Sequence, residues 1–488
     1  MMHKQKLWTL TILLALLALT AAACSNAQPA QNTTAQDTVQ TEAKTETQTE
    51  TQTEAKTADA AQPESEEADA AQAESDKADA AAAEPGDAEE PVVLTVVTHE
   101  TEVLDAAFWH EVIDAVLADM DANIKVEWSS TADRDNYARQ LAATDQFPDI
   151  PFAVTVADFA EAGLLTPFDQ EYLDENFILP NASKINGKAW APPVGAQLIP
   201  LVFYNKAIFE KVGVEVPTTW DEFMAVSQAL LDAGYVPQQM CAAEPWCASF
   251  PGVGLVSQNV FGDDPEWMLK RKAGEVHFSD PEFVAAMQKL ADMVEAGYID
   301  GPAALGTDFA TANQAFYDGE VPMYMQGSWF IAYPPEDMGF EMGAFVLPRD
   351  DGKIIPSIYV GGGTRVSAVS EHPKELMMFA KEFEKNMTAM HMFVQSDAMF
   401  PMLKNKTIED YNVDLPDLFY DYYNNVVAND DVEKVAAFTW ANNDLDPIPG
   451  WKDEFYASIQ NILLGADVEA EMARLDQVWD DLSAKQGE

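Results

Sequence analysis

The hydrophobic pattern divides the chain into three stretches. Residues 7–23 form an almost unbroken apolar run, preceded by Lys4 and Lys6 and followed by Cys24. A membrane-spanning helix wants about 20 apolar residues, so this run is short for one. From residue 25 to about residue 90 the only large aliphatic or aromatic side chain is Val39. From Val92 onward, apolar positions recur with the periods of strands and helices.

Residues 92–97 are a β-branched run long enough for one buried strand, and the run stops at His99 and Glu100. Phe108, Val112, Ile113, Val116, Leu117 and Met120 then fall at three- and four-residue steps, predicting an amphipathic helix. "NIKVEWSS" predicts a second strand, the stretch around Tyr137 a second helix, and "FPDIPFAV" a third strand. That alternation predicts a parallel α/β unit. Such sheets hold ligands beyond the C-terminal ends of their strands, so His99, Glu100 and the neighbourhood of Asp149 are expected at a rim.

The alternation continues. "LIPLVFYNKAIF" reads as strand. "PTTWDEFMAVSQALLDAG" carries a helix start, with Thr219 as cap, Asp221 in the first turn and Glu222 three residues on. "DPEFVAAMQKLADMVEAGYI" is a second helix of the same kind. "VLPRDDGKIIPSIYVGGGTRVSAVS" reads as two short strands around a turn, then the triplet Gly361, Gly362 and Gly363. "HPKELMMFAKEFEKNM" is a helix opened at His372, and the tail reads as two closing helices.

Charge and composition sharpen this picture. The chain has 28 Lys and Arg against 82 Asp and Glu, a net charge of −54. Residues 25–90 hold 17 acidic and 3 basic residues; with the two leading lysines set apart, −42 remains on the rest. The 25–90 segment, built of imperfect repeats such as "TETQTETQTEAK", has too little apolar surface to offset the entropy of ordering. It reads as an extended, self-repelling tether. The remaining 397 residues exceed one typical core, so two lobes are expected. A surface this acidic repels phosphate backbones and excludes nucleic acid as a partner.

The N-terminal order of positive region, apolar region and small residues is that of an export signal. With Cys24 directly after Ala21, Ala22 and Ala23, it resembles a bacterial lipoprotein signal, which implies cleavage after residue 23 and lipid on Cys24. The implied location is the outer face of the cell membrane, or the periplasmic side where an outer membrane exists. Cys241 and Cys247 are close enough for a disulfide outside the cytoplasm. They lack the nearby His that a metal site needs. No Gly-x-Ser-x-Gly or His-Glu-x-x-His occurs and the six His are scattered, so neither a serine esterase nor a metal enzyme has support. No metal and no cofactor is expected.

Several motifs, in order, carry a resemblance across residues 92–488. They are "FPDI" followed by "LLTPFD", "VFYNKAIFEKVGVEVPTTWDEF", "FYDGEVPMYMQGSW" and "FPMLKNK". Together they resemble the extracellular solute-binding proteins of ABC importers, specifically the sugar-binding, maltose-binding-protein-like family 1. The resemblance implies an α/β, two-lobed periplasmic-binding-protein fold, type II-like, with a hinge between the lobes. Residues 92–198 and 348–400 would form lobe 1, and residues 199–347 and 401–488 lobe 2. It implies capture of a carbohydrate, an oligosaccharide, in the cleft and delivery to a membrane permease by a monomeric receptor. The alternatives are a polyamine or other non-sugar solute on the same fold and, less well supported, a surface glycoside hydrolase.

A sugar offers an apolar face of C–H groups and a rim of hydroxyls, so its site needs aromatic plates and polar groups. Trp329 in "QGSW" is the first candidate plate, at a position the family uses against ligand. Trp246, flanked by the cysteines, stands where family members often present an aromatic. Trp451 follows Pro449-Gly450, and Trp190 precedes the first expected hinge crossover. Trp220 belongs to a helix start and is expected in the core. Glu100 and Asp149 are candidates for the hydroxyl rim. Gly362 and Gly363 would let backbone N–H groups approach the ligand. Asn442, Asn443 and Asp444 rank lower.

Overall fold

The computed structural model describes residues 90–486 apart from 102, 132 and 153. The apolar run, Cys24 and the acidic tether up to residue 89 lie outside the described residues. The β-branched run becomes β1 (Val92–His99), followed by α1 (Ala106–Asp119), β2 (Ile124–Thr131), α2 (Arg134–Ala143) and the short β3 (Ile150–Pro151). β1 is central. It runs parallel to β2 from Val92 opposite Ile124 to His99 opposite Thr131, and parallel to β3 at Val96 and Val97. This is the parallel unit expected from the sequence. Asp105 starts α1 by accepting from Phe108 N at 2.9 Å, which turns Phe108, Trp109, Val112 and Val116 inward.

β4 (Gly195–Leu198) leads directly into β5 (Leu201–Asn205), but the two join different sheets. Then come α3 (Trp220–Asp232), β6 (Gln238–Gln239), α4 (Pro281–Glu295), β7 (Met323–Gln326) and β8 (Met342–Phe345). The second sheet has the order β8–β5–β7–β6, with β5 antiparallel to both neighbours and β6 parallel to β7. Thr219 caps α3, accepting from Glu222 N at 3.2 Å, while Glu222 Oε2 reaches back to Thr218 N at 2.8 Å. Trp220 is core, as expected, with Phe223 stacked on it at 5.2 Å and Lys289 Nζ 4.7 Å from its centroid.

The chain then enters β9 (Ser357–Gly361), α5 (Pro373–Phe383), α6 (Met387–Asp397), β10 (Phe400–Pro401), β11 (Val435–Ala436), α7 (Trp451–Leu463) and α8 (Val468–Gln486). The third sheet, β10–β4–β9–β11, gathers strands from four distant parts of the sequence. α6 returns to the first α/β unit, where Phe393 meets Phe108 and Trp109 of α1 at 5.1 and 5.5 Å. One expectation moves. The strand read over "VLPR" lies upstream at β8, whose four residues pair with β5. Pro348, with no N–H, cannot extend that ladder.

Replacing Thr219 by Ala removes the α3 cap. The expected cost is about 1 kcal/mol of unfolding free energy, read as a lower denaturant midpoint at unchanged slope.

Candidate functional site

The rim residues of the first sheet separate. Glu100 is exposed just beyond β1; its Oε2 accepts from Ser130 Oγ at 3.0 Å. His99 is half-buried between Trp109 and Phe152, with centroids at 5.5 and 6.0 Å, and its carbonyl accepts from Trp109 Nε1 at 2.7 Å. Burial, then the charges of Arg134 and Arg365, push its pKa down to about 3, so the ring is neutral at neutral pH. Asp149 is a correction. Its Oδ2 accepts from Thr95 N at 2.8 Å and Thr95 Oγ1 at 2.9 Å, and its own N donates to Thr95 Oγ1 at 3.0 Å. Thr95 lies four residues before the end of β1, about 13 Å from that rim at a strand's rise per residue. Asp149 therefore ties β3 to β1 and does not reach the rim.

The glycine triplet is needed by the fold. Gly362 has φ +79, and its N–H donates to Tyr359 Oη at 3.0 Å. A Cβ on Gly363 would run into the backbone of Pro192. These glycines serve a tight turn after β9, and the Gly362 amide is already engaged rather than offered to a ligand.

The tryptophans also separate. Trp451 is fully buried, its Nε1 donates to Leu475 O at 3.1 Å, and Phe278 stacks on it at 4.2 Å. Phe455 lies 5.6 Å away, nearly parallel. With no face free, Trp451 is a packing residue and not the plate that its place after Pro449-Gly450 suggested. Trp190 is half-buried apart from the others, with Nε1 on Ile185 O at 3.2 Å and Lys188 Nζ 5.6 Å from the ring.

Trp329 and Trp246 do come together. Trp329 is 8% exposed and Trp246 half-buried, and both touch Phe250, at 5.8 and 5.7 Å. Trp246 continues to Phe309 at 5.3 Å, and Phe309 to Tyr333 at 6.2 Å. Trp440, which the sequence reading missed, completes the row 6.2 Å from Trp329 and 6.1 Å from Phe250. Its only sequence signal is a Trp among turn-forming polar residues. Gly327 is what lets Trp329 lie where it does, since a Cβ there would collide with the indole. Trp246 opens the short helix Pro245–Ala248 inside the loop closed by Cys241 and Cys247, whose Cα atoms are 5.5 Å apart and whose sulfurs are joined. Gln326 Nε2 donates to both sulfurs, at 3.2 and 3.3 Å, tying that loop to β7.

Polar groups meet the row at Tyr333. Asp397, at the end of α6, accepts from Tyr333 Oη at 3.1 Å and Gln197 Nε2 at 2.9 Å. Burial raises its pKa to about 7, against those hydrogen bonds. Lys452, in the first turn of α7, lies 3.4 Å from Thr155 Oγ1; Thr155 N and Oγ1 both donate to Asp135, at 2.9 and 2.6 Å. Burial opposes the Lys452 charge, but Tyr456, Asp135 and Asp446 outweigh it and raise its pKa. Burial lifts Asp446 to about 6. Asn443 Nδ2 donates to Ala182 O at 2.9 Å, and Asp444 Oδ1 accepts from Asn186 N at 2.9 Å, so these two hold the loop after β11 to the hairpin with arms Lys184–Ile185 and Lys188–Ala189. Among the described residues, no group of three or more His, Cys, Asp or Glu is placed to hold a metal ion, and no helix is long and apolar enough to cross a membrane.

Three sheets with helices packed around them, with aromatic rings gathered beside hydrogen-bonding groups, form the α/β frame of a two-lobed solute-binding protein with a hinge. The model of the bacterial extracellular solute-binding protein family matches residues 100–390, more than half of the chain, and the chain belongs to that family. An uncharacterized ABC transporter extracellular-binding protein of Pyrococcus horikoshii is 23% identical over 377 residues, 74% of this chain and 81% of that protein. The multiple sugar-binding protein of Streptococcus mutans is 28% identical over 253 residues, 49% of this chain and 57% of its own. Among solved structures, a chitin oligosaccharide binding protein superposes with a TM-score of 0.68 at 21% identity, covering 81% of this chain and 99% of that one. RafE in complex with raffinose superposes with a TM-score of 0.62 at 18% identity, covering 80% and 99%. The family is one of transport solute-binding proteins, not of enzymes.

Two measurements check this geometry. Trp451→Ala should cost about 3–5 kcal/mol of stability, as expected for a buried Trp. Asp397 binds its proton more tightly folded, at about 7, than a free carboxyl at about 4, so stability should fall as pH rises between those values. Asp397→Asn should flatten that fall in a series of melting curves.

Proposed function

We propose that this protein is the substrate receptor of an ABC importer, capturing a neutral oligosaccharide at the lobe junction and delivering it to a membrane permease. The lobes are taken as residues 92–198 with 348–400, and 199–347 with 401–488. The observation that carries the reading is the row Tyr333–Phe309–Trp246–Phe250–Trp329–Trp440, four of whose rings are partly exposed, set beside hydrogen-bonding groups. Aromatic faces suit the C–H faces of sugar rings, and Asp397, Tyr333 and Lys452 suit their hydroxyls. The partly exposed rings Tyr333, Phe309, Trp246 and Trp440 together suit more than one sugar unit. The sugar-binding names of several relatives and structural neighbours support the same class of ligand. No chemistry is done on the ligand; closing of the lobes is the signal that the permease reads.

The receptor works outside the cytoplasmic membrane as a monomer. Lipid on Cys24 anchors it, and residues 25–90 hold the binding domain away from the surface. A polyamine is the second reading, favoured only by the acidic surface and by the attraction of cations to aromatic faces.

A thermal-shift screen at low and high salt tests the two. A ligand at about 100 times its Kd adds about 2.7 kcal/mol, so a hit is plain. A neutral oligosaccharide should raise Tm equally at both salt concentrations, and Trp246→Ala or Trp329→Ala should weaken its binding at least tenfold. A shift by spermidine that collapses at high salt would overturn the carbohydrate reading.

A further inference from the structure

The loop from Ala437 to Asp446 is tied down by several backbone amides. Phe438 N donates to Ser257 Oγ at 3.0 Å, Ala441 N to Asp446 Oδ1 at 2.9 Å, and Leu445 N to Asn443 Oδ1 at 2.8 Å. Trp440 N donates to Ala437 O at 2.9 Å and Asp444 N to Lys184 O at 3.0 Å. Two side-chain donors are left over. Trp440 Nε1 and Asn442 Nδ2 are closed off from water and have no acceptor among the described residues. Asn442 is only 8% exposed.

The backbone here is unusual too. Thr439 and Asn442 are left-handed, with φ of 63 and 56. Asn adopts that conformation readily and a β-branched Thr rarely does. Such residues persist where the surroundings hold them, and they cluster at ligand sites. The surroundings are visible: Thr439 Oγ1 meets Tyr456 Oη at 3.3 Å, and Asn442 Nδ2 lies 3.2 Å from where a Cβ on Gly361 would stand. The Trp440 ring belongs to the aromatic row.

Both orphans are donors. An indole nitrogen donates only, and so does an amide NH2. Native proteins leave few buried donors unpaired, and a site that awaits a ligand is one place where they occur. We propose that Trp440 Nε1 and Asn442 Nδ2 are ligand-reading groups, each donating to an oxygen of the bound sugar. The inference rests on the carbohydrate reading and deepens it. Hydroxyl, ring and glycosidic oxygens all accept, whereas a polyammonium ligand brings only donors and completes neither group.

The test titrates the purified protein with maltotriose, raffinose, stachyose, xylotriose and chitotriose, and with spermidine in parallel. The variants are Trp440→Phe, which keeps a ring without the N–H, and Asn442→Gly, which keeps the left-handed backbone without the amide. Each should weaken the best sugar of the panel about tenfold, the loss of one buried hydrogen bond. Each should leave the Tm of the sugar-free protein unchanged or raised, because an unpaired donor has been removed. Affinities within twofold of wild type, or losses matched by a fall in sugar-free Tm, would overturn the assignment. A wild-type protein that takes spermidine and no sugar would overturn the carbohydrate reading, and this inference with it. Sugar binding unaffected in both variants would remove this inference alone.

Discussion

The antiparallel pairing of β4 with β9 is the constraint on which the rest depends. Leu198 stands opposite Ile358 and Gly195 opposite Gly361, joining segments about 160 residues apart. β10 and β11 add to either side, so four remote segments meet in one small sheet. From it the chain leaves directly into the second sheet through β5, and it comes back to this sheet at β9. Gln197 on β4 and the turn after β9 then come beside Asp397 and Asn442.

The aromatic row shows how packing separates similar side chains. Trp451 and Trp329 are both largely buried, yet Trp451 is enclosed between Phe278 and Phe455 with its N–H satisfied. Trp329 sits at the margin of its core, with Gly327 making room for its ring and Trp440 beside it. Trp246 is held by covalent and polar means, through the Cys241–Cys247 loop and the two hydrogen bonds from Gln326. Rings held this way would lower the ordering cost of the sugar binding proposed above.

Much of the fold was legible in the sequence because period and capping are local. The β-branched run gave β1, the three- and four-residue spacing gave α1, and Thr219 with Glu222 gave the start of α3. The site was less legible because it depends on which distant segments meet. Asp149 looks like a rim carboxylate until its bonds to Thr95 are seen. The Gly361–Gly363 run looks like a ligand cradle until Pro192 and Tyr359 are seen against it. Trp440 carries only a weak local signal, a Trp among turn-forming residues, because its place in the row comes from neighbours more than 100 residues away, such as Trp329.

The most direct measurement is a crystal structure of the protein with a bound oligosaccharide, the best ligand from a neutral panel. The account expects sugar rings lying on Trp246, Trp329 and Trp440, with oxygens near Trp440 Nε1 and Asn442 Nδ2. A sugar bound elsewhere, with those rings still covered by protein, would contradict it.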